Sequence, residues 1–325
     1  MSDRPPLRLA TRGSPLALWQ ARRVAGFLEA SGIPSSLVVV ETTGDRRLDL
    51  PLDQLGGQGV FVKEVQAAVV RGEADAAVHS AKDLPASVEL SVPDLVLAAL
   101  PERADPRDTV VGGGLDSLPT GALVATGSAR RRVQLANLRS DLHFTGLRGN
   151  LATRLGMVGV DGVAAVVVAQ AAIDRLAWDP PAGLIVEVLD PDVMIPPVGQ
   201  GALAVECRAD DASTRASLAT IHDDRVGPLV AAERAFLAEL GGGCTLPVGA
   251  HAHWVGDGSS DLRLTGMMGS ADGVVVVRHA ADGSGPDALG RTVARYLLDE
   301  AGGRDLGDWL PSAEDHGGSP TVVSG

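Results

Sequence analysis

Short apolar strand signals alternate with helical ones along the first two hundred residues, and that alternation leaves few folds open. LRLA (7–10) precedes a helical stretch over 14–32 that ends at Gly32, and the β-branched run 36–42 precedes a helix over 60–73. Residues 74–80 and 95–100 are further strands. Strands joined through helices run parallel, and a sheet covered on both faces needs near-continuous apolar runs, as here. A proline- and charge-rich segment, PERADPRD (101–108), interrupts the pattern. It resumes with strand 122–128, helix 129–139, strand 142–147, helix 150–158 and strand 162–169, followed by the helix QAAIDRLA. A second proline-rich crossing, 191–201, leads into strand 202–208. Two crossings imply a chain that leaves one α/β lobe, builds a second and returns. A cleft between such lobes is a favoured place for a ligand.

The remainder changes character. A helix over 227–240, the loop GGGC (241–244), strands at 248–255, 261–269 and 273–280, and a helix from Pro286 to about Glu300 predict a small α+β domain with an antiparallel sheet. The expected division is 1–100 plus 200–220 for the first lobe, 101–199 for the second and 221–310 for the third domain, with 311–325 a disordered tail.

Charge narrows the partners. The net charge of −13 argues against nucleic acid or an acidic membrane as a general partner. No run approaches the roughly 18 apolar residues of a membrane span. The first residues, MSDRPPLRLATRG, hold no apolar signal core, so a cytoplasmic location is expected. In a reducing compartment Cys207 and Cys244 read as separate thiols rather than a disulfide.

Arginine and small polar residues recur where strands hand over to helices: Arg12 and Ser14, then Thr126 and Ser128 before Arg130, Arg131 and Arg132, then Arg148 and Arg154. In parallel α/β lobes such turns gather at one sheet edge, beside helix N-termini that favour anions. One turn alone is explained as well by an N-cap and a solvated arginine. Three of a kind favour a polyanion site.

HSAKDLP (79–85) puts Lys82 and Asp83 at the end of a buried strand, where a carboxylate can stabilise positive charge or move protons. Taken alone, a surface Lys–Asp pair opening a turn explains it better. Cys207 lies in a strand run and reads as a buried apolar residue, whereas Cys244 sits on a glycine loop that suits a nucleophilic thiol. His251 and His253 alternate on one strand without further zinc-like ligands, and GGQGVF (56–61) lacks the ending of a nucleotide-binding loop.

Taken in order, ATRGSPLALWQ, GGQGVFVKE, AVHSAKDLP, PERADPRD, TGSARRR, LRGNLATRL, PVGQGALAVECR and GGGCTLPVG resemble the hydroxymethylbilane synthase (porphobilinogen deaminase) family over about residues 7–250. The resemblance implies an α/β fold of two periplasmic-binding-protein-like lobes with a third small α+β domain carrying the cofactor cysteine. It implies a dipyrromethane cofactor joined to Cys244 by a thioether, with Lys82, Ser128, Arg130, Arg131 and Arg154 on its carboxylates. Arg12, Ser14, Arg148 and Arg175 would meet incoming porphobilinogen or the growing chain. Asp83 would stabilise the cationic pyrrole species and assist proton movement. The implied activity is deaminating polymerisation of four porphobilinogen molecules, then hydrolytic release of the linear tetrapyrrole, by a monomer needing neither metal nor nucleotide.

Two departures stand out. Gln54 and Gln58 occupy loop positions where relatives often carry lysine, and Gly127 replaces a frequent serine. Two other classes share some of these features. A binding protein would have the same lobes but no use for Cys244 on its loop. A cysteine hydrolase would need a histidine such as His251 or His253 beside that thiol.

Overall fold

The computed structural model describes residues 5–41, 62–86, 91–241, 247–256 and 258–306. Cys244, Gln54, Gln58, the loop 56–61 and the tail 311–325 lie outside the described residues.

β1 (Leu7–Arg12) feeds α1 (Pro15–Ala30), whose start is fixed by Ser14 as N-cap and by Pro15 in the first turn. Gly32, at φ +73°, ends it in the left-handed conformation open to glycine. β2 (Ser35–Val40), α2 (Lys63–Val70), β3 (Ala76–Ser80) and β4 (Leu95–Ala99) follow. The chain then crosses to β5 (Asp108–Val111), β6 (Leu123–Ala125), α3 (Ala129–Leu138), β7 (His143–Thr145), α4 (Leu151–Leu155), β8 (Val163–Ala169), α5 (Gln170–Arg175) and β9 (Val186–Val188). It returns as β10 (Leu203–Arg208) and α6 (Ala212–Ala219).

The two sheets have matching plans, β2-β1-β3-β10-β4 and β7-β6-β8-β5-β9. In the first, β1 runs parallel to β2 and β3, while β10 is antiparallel to both β3 and β4. In the second, β6 runs parallel to β7 and β8, while β5 opposes β8 and β9. The expected mainly parallel sheets therefore each contain one opposed strand, and it is the strand that has just crossed over. A crossing delivers the chain at the end of the sheet where its neighbour finishes, so the new strand must run back. The two crossings also touch, through an antiparallel bridge between Arg103 and Ala202.

Each sheet is covered on both faces. Leu9, Val24, Leu28, Val78, Leu203 and Leu218 pack on one face of the first, and Ala10, Val65, Ala68 and Ala77 on the other. Burying each such leucine is worth roughly 1.5–3 kcal/mol. β5, β9 and α6 have no counterpart in the sequence reading. β5 and β9 are only 4 and 3 residues long, too short to show a period.

α7 (Gly227–Glu239) then leads to the antiparallel sheet β11 (Val248–Trp254), β12 (Leu262–Gly269) and β13 (Val276–Gly283), closed by α8 (Pro286–Arg295). α8 lies close on α7 because residue 290 is glycine: a Cβ there would stand 2.4 Å from the carbonyl oxygen of Ala232. The last strand starts three residues later than 273, because Ser270 and Asp272 hold Val274 and Val275 in a turn.

Candidate active site

Asp108, first residue of β5, is wholly buried beneath the first turn of α3. Ser128 caps that helix by accepting from the Arg131 amide at 3.4 Å, which turns Arg130 and Arg131 back under the sheet edge. Arg130 donates to Oδ2 of Asp108 at 2.6 Å and to the Ile195 carbonyl at 2.6 Å. Arg131 donates to Oδ1 at 3.1 and 2.7 Å and to the Val167 carbonyl at 2.8 Å. Burial pushes the Asp108 carboxyl up, but the two guanidiniums and Gln200 hold it well below the usual carboxylate range.

Gln200 extends this group across the crossing. Its amide nitrogen donates to Asp108 at 2.9 Å and to the Pro106 carbonyl at 2.7 Å, while its oxygen accepts from Lys82 at 3.2 Å. The flanking Gly201 has φ +84°, and a Cβ there would meet the Ala104 carbonyl oxygen at 2.3 Å. Lys82 belongs to a tight turn, Ala81–Asp83, directly after β3. Its ammonium is pushed down to about 8, first by burial and then by Arg131 and Arg154, against the opposing pull of Asp83 and Asp108.

Arg154 is lowered by burial, by Arg131 and by Arg148, again opposed by Asp83, and its Nε donates to the Gly149 carbonyl at 2.8 Å. One terminal nitrogen of Arg148 is buried with no hydrogen-bond partner among the described residues. Arg175, 6% exposed, donates to the Gly201 carbonyl at 2.6 Å and stacks on Trp19 at 5.4 Å, yet its Nε is likewise buried and unbonded. Arg12 and Asp83 line one pocket with Gln20, His79 and Ser80. Ser14 is occupied as the cap of α1, accepting from the Ala17 amide at 3.3 Å.

Lys82, Asp83, Arg131, Arg148 and Arg154 thus come together, Arg130 joins them through Asp108, and Arg12 shares the Asp83 pocket. Arg175 sits at the crossing, by Gly201. Sequence reading missed Asp108 and Gln200, which looked like linker residues in PERADPRD and PVGQG. It also missed the wholly buried Glu233 of α7, which takes Arg103 at 2.8 and 3.2 Å and the amides of Gly199 and Ala252 at 2.7 and 2.8 Å. Only a regular helical pattern marked Glu233, and that pattern gave no sign of its charge partner.

Residues 7–216 match the family model described as "Porphobilinogen deaminase, dipyromethane cofactor binding domain", and residues 228–299 match "Porphobilinogen deaminase, C-terminal domain". The chain belongs to the porphobilinogen deaminase family. Relatives named porphobilinogen deaminase include that of Shouchella clausii, 43% identical over 92% of this chain and 95% of the relative. That of Acidothermus cellulolyticus is 46% identical over 90% and 88%, and that of Syntrophus aciditrophicus 43% over 95% and 100%. Among solved structures, the methionine-binding protein MetQ aligns with 67% of this chain and 90% of its own at 12% identity and a TM-score of 0.41. That likeness adds nothing to the sheet order already described.

Membership makes the chain an enzyme, a transferase of tetrapyrrole biosynthesis, with the covalent dipyrromethane cofactor of porphobilinogen deaminases. The cleft fits such a group. Guanidinium nitrogens of Arg130, Arg148 and Arg175 are buried without acceptors among the described residues, and a chain of pyrrole carboxylates would supply them. No helix among the described residues is long and apolar enough to cross a membrane.

Proposed function

We propose that the chain condenses four porphobilinogen molecules and releases the linear tetrapyrrole, with the residues around Asp108 and Asp83 dividing the work. Lys82, Ser128, Arg130, Arg131 and Arg154 hold the cofactor carboxylates, and Arg12, Ser14, Arg148 and Arg175 take those of substrate and growing chain. The observation that carries this reading is the set of guanidinium nitrogens buried without a partner among the described residues, near a cluster in which Lys82, Arg131 and Arg154 face Asp83 and Asp108. Asp108 permits that arrangement, because one internal counter-charge keeps Arg130 and Arg131 from repelling each other.

The bound cofactor supplies a free pyrrole α-carbon as the starting nucleophile. Arg12 and Arg148 orient the incoming acetate and propionate groups by charge-assisted bonds worth roughly 1.5–3 kcal/mol each. Asp83 stabilises the positive charge that develops on the substrate ring as its aminomethyl group loses ammonia. Cys244 is the attachment point in this reading. The other cysteine, Cys207, is wholly buried in β10, where burial pushes its thiol up to about 11.

For the chain's division we propose 1–100 plus 200–220, 101–199 and 221–310, the first two enclosing the cleft, in a monomeric cytoplasmic enzyme. Turnover by Asp83→Asn tests the chemistry. The account expects a fall of at least about 10²-fold with cofactor still attached and bound chains of intermediate length accumulating. Tetrapyrrole formation at the wild-type rate would remove Asp83 from the mechanism.

A further inference from the structure

The buried His79 and the partly buried Glu206 form a pair for which the reaction as described has no use. His79, on β3, is 5% exposed. Ala204 pairs with His79 and Glu206 with Ala77, so both side chains leave the same face of the sheet, toward α2. There Nε2 of His79 lies 3.3 Å from Oε2 of Glu206, at ion-pair distance but without hydrogen-bond alignment, and it has no hydrogen-bond partner among the described residues. Gln66 of α2 donates to the same carboxylate oxygen at 2.8 Å and fixes it. Burial pushes the Glu206 carboxyl up, yet His79, Gln66 and Arg234 together hold it below its ordinary value. A buried imidazole nitrogen facing a fixed carboxylate gains an ion pair when the ring takes a proton.

His79 also lines the pocket that contains Arg12, Gln20, Ser80 and Asp83. Asp83 is the one carboxylate among the described residues that line it, and protonating it would remove the charge that stabilises the cationic ring. A second acceptor leaves that charge intact.

We propose that His79, backed by Glu206, takes the proton released in each condensation, an inference that rests on the Asp83 reading above. The carbon–nitrogen bond of the aminomethyl group, which enters protonated as an ammonium, breaks and ammonia leaves with the electron pair. A carbon–carbon bond forms from the terminal ring's α-carbon to the freed methylene. That α-carbon then loses its hydrogen as a proton, and its electron pair restores the aromatic ring. His79 becomes imidazolium beside Glu206 and then gives the proton up to the ammonia already released, which becomes ammonium, so the ring is neutral again for the next cycle. His79 is the catalytic residue in this step and Glu206 a positioning residue.

The test compares His79→Gln and Glu206→Gln with the wild-type holoenzyme. His79→Gln should lower kcat by about 10²-fold with KM little changed, and Glu206→Gln should fall between it and wild type. With porphobilinogen deuterated at its free α-carbon, the isotope effect should rise above the wild-type value in His79→Gln, because proton removal becomes rate-limiting. Separately from turnover, nitrogen-15 NMR of the resting protein should show the His79 ring signal, assigned by its loss in His79→Gln, shifting in Glu206→Gln. Wild-type turnover in His79→Gln, an unchanged isotope effect, or a His79 signal indifferent to Glu206 would overturn the proposal. Should His79→Gln not fold, Glu206→Gln carries the isotope and rate arms, and His79→Asn the assignment. Wild-type turnover in Asp83→Asn would instead sink the reading on which this one stands.

Discussion

Nζ of Lys82 donates to Oε1 of Gln200 at 3.2 Å, and Gln200 in turn donates to Asp108, so the turn that ends β3 in the first sheet is tied to the buried ion pairs of the second. The cationic cleft is therefore built from both sheets and from the crossing between them. Its charges are coupled, and changing one should be felt by the rest.

Asp108→Asn removes the one carboxylate shared by Arg130 and Arg131. Two buried guanidiniums would be left without a counter-charge, a loss on the order of 3–5 kcal/mol. Denaturant unfolding should show that loss at neutral pH. The Asp108 carboxyl is held below its ordinary value, so its stabilising contribution is present above pH ~4 and fades only as pH falls below that.

Arg130→Leu and Arg131→Leu should prevent cofactor assembly, whereas Arg12→Leu and Arg148→Leu should leave the cofactor attached and stall chain growth. Mass spectra of the four proteins separate these outcomes. Near-normal turnover in all four would contradict the polyanion cleft.

Lys82 gives a pH-dependent effect of opposite sign to that of Asp108. Its folded-state value, about 8, lies below the 10.5 of an ordinary lysine, so the charged form costs stability below about 8 and the cost is relieved as pH rises from there to 10.5. In protein made without porphobilinogen, Lys82→Met should therefore raise Tm at neutral pH, and that advantage should shrink between pH 8 and 10.5. A gain independent of pH would assign the effect to packing instead.

Much of this was legible in the sequence. Periodicity placed α1, β1, β3 and β8 because each is long enough to show its repeat, and the strand-to-helix turns located Arg12, Arg130, Arg131, Arg148 and Arg154. Partners were harder to see. Asp108 stands 22 positions from Arg130, and Gln200 stands 118 from Lys82, so only tertiary packing brings them together. Ser14 and Ser128 each accept a backbone amide as the caps of α1 and α3, a local role that residues at strand-to-helix turns announce in the sequence.

The central claim is a polyanion cleft serving a pyrrole chain anchored at Cys244. Peptide mass spectrometry of the purified protein tests it most directly. The account predicts two pyrrole rings added to the peptide containing Cys244, with Cys207 a free thiol. A fully active protein with unmodified Cys244 would contradict it.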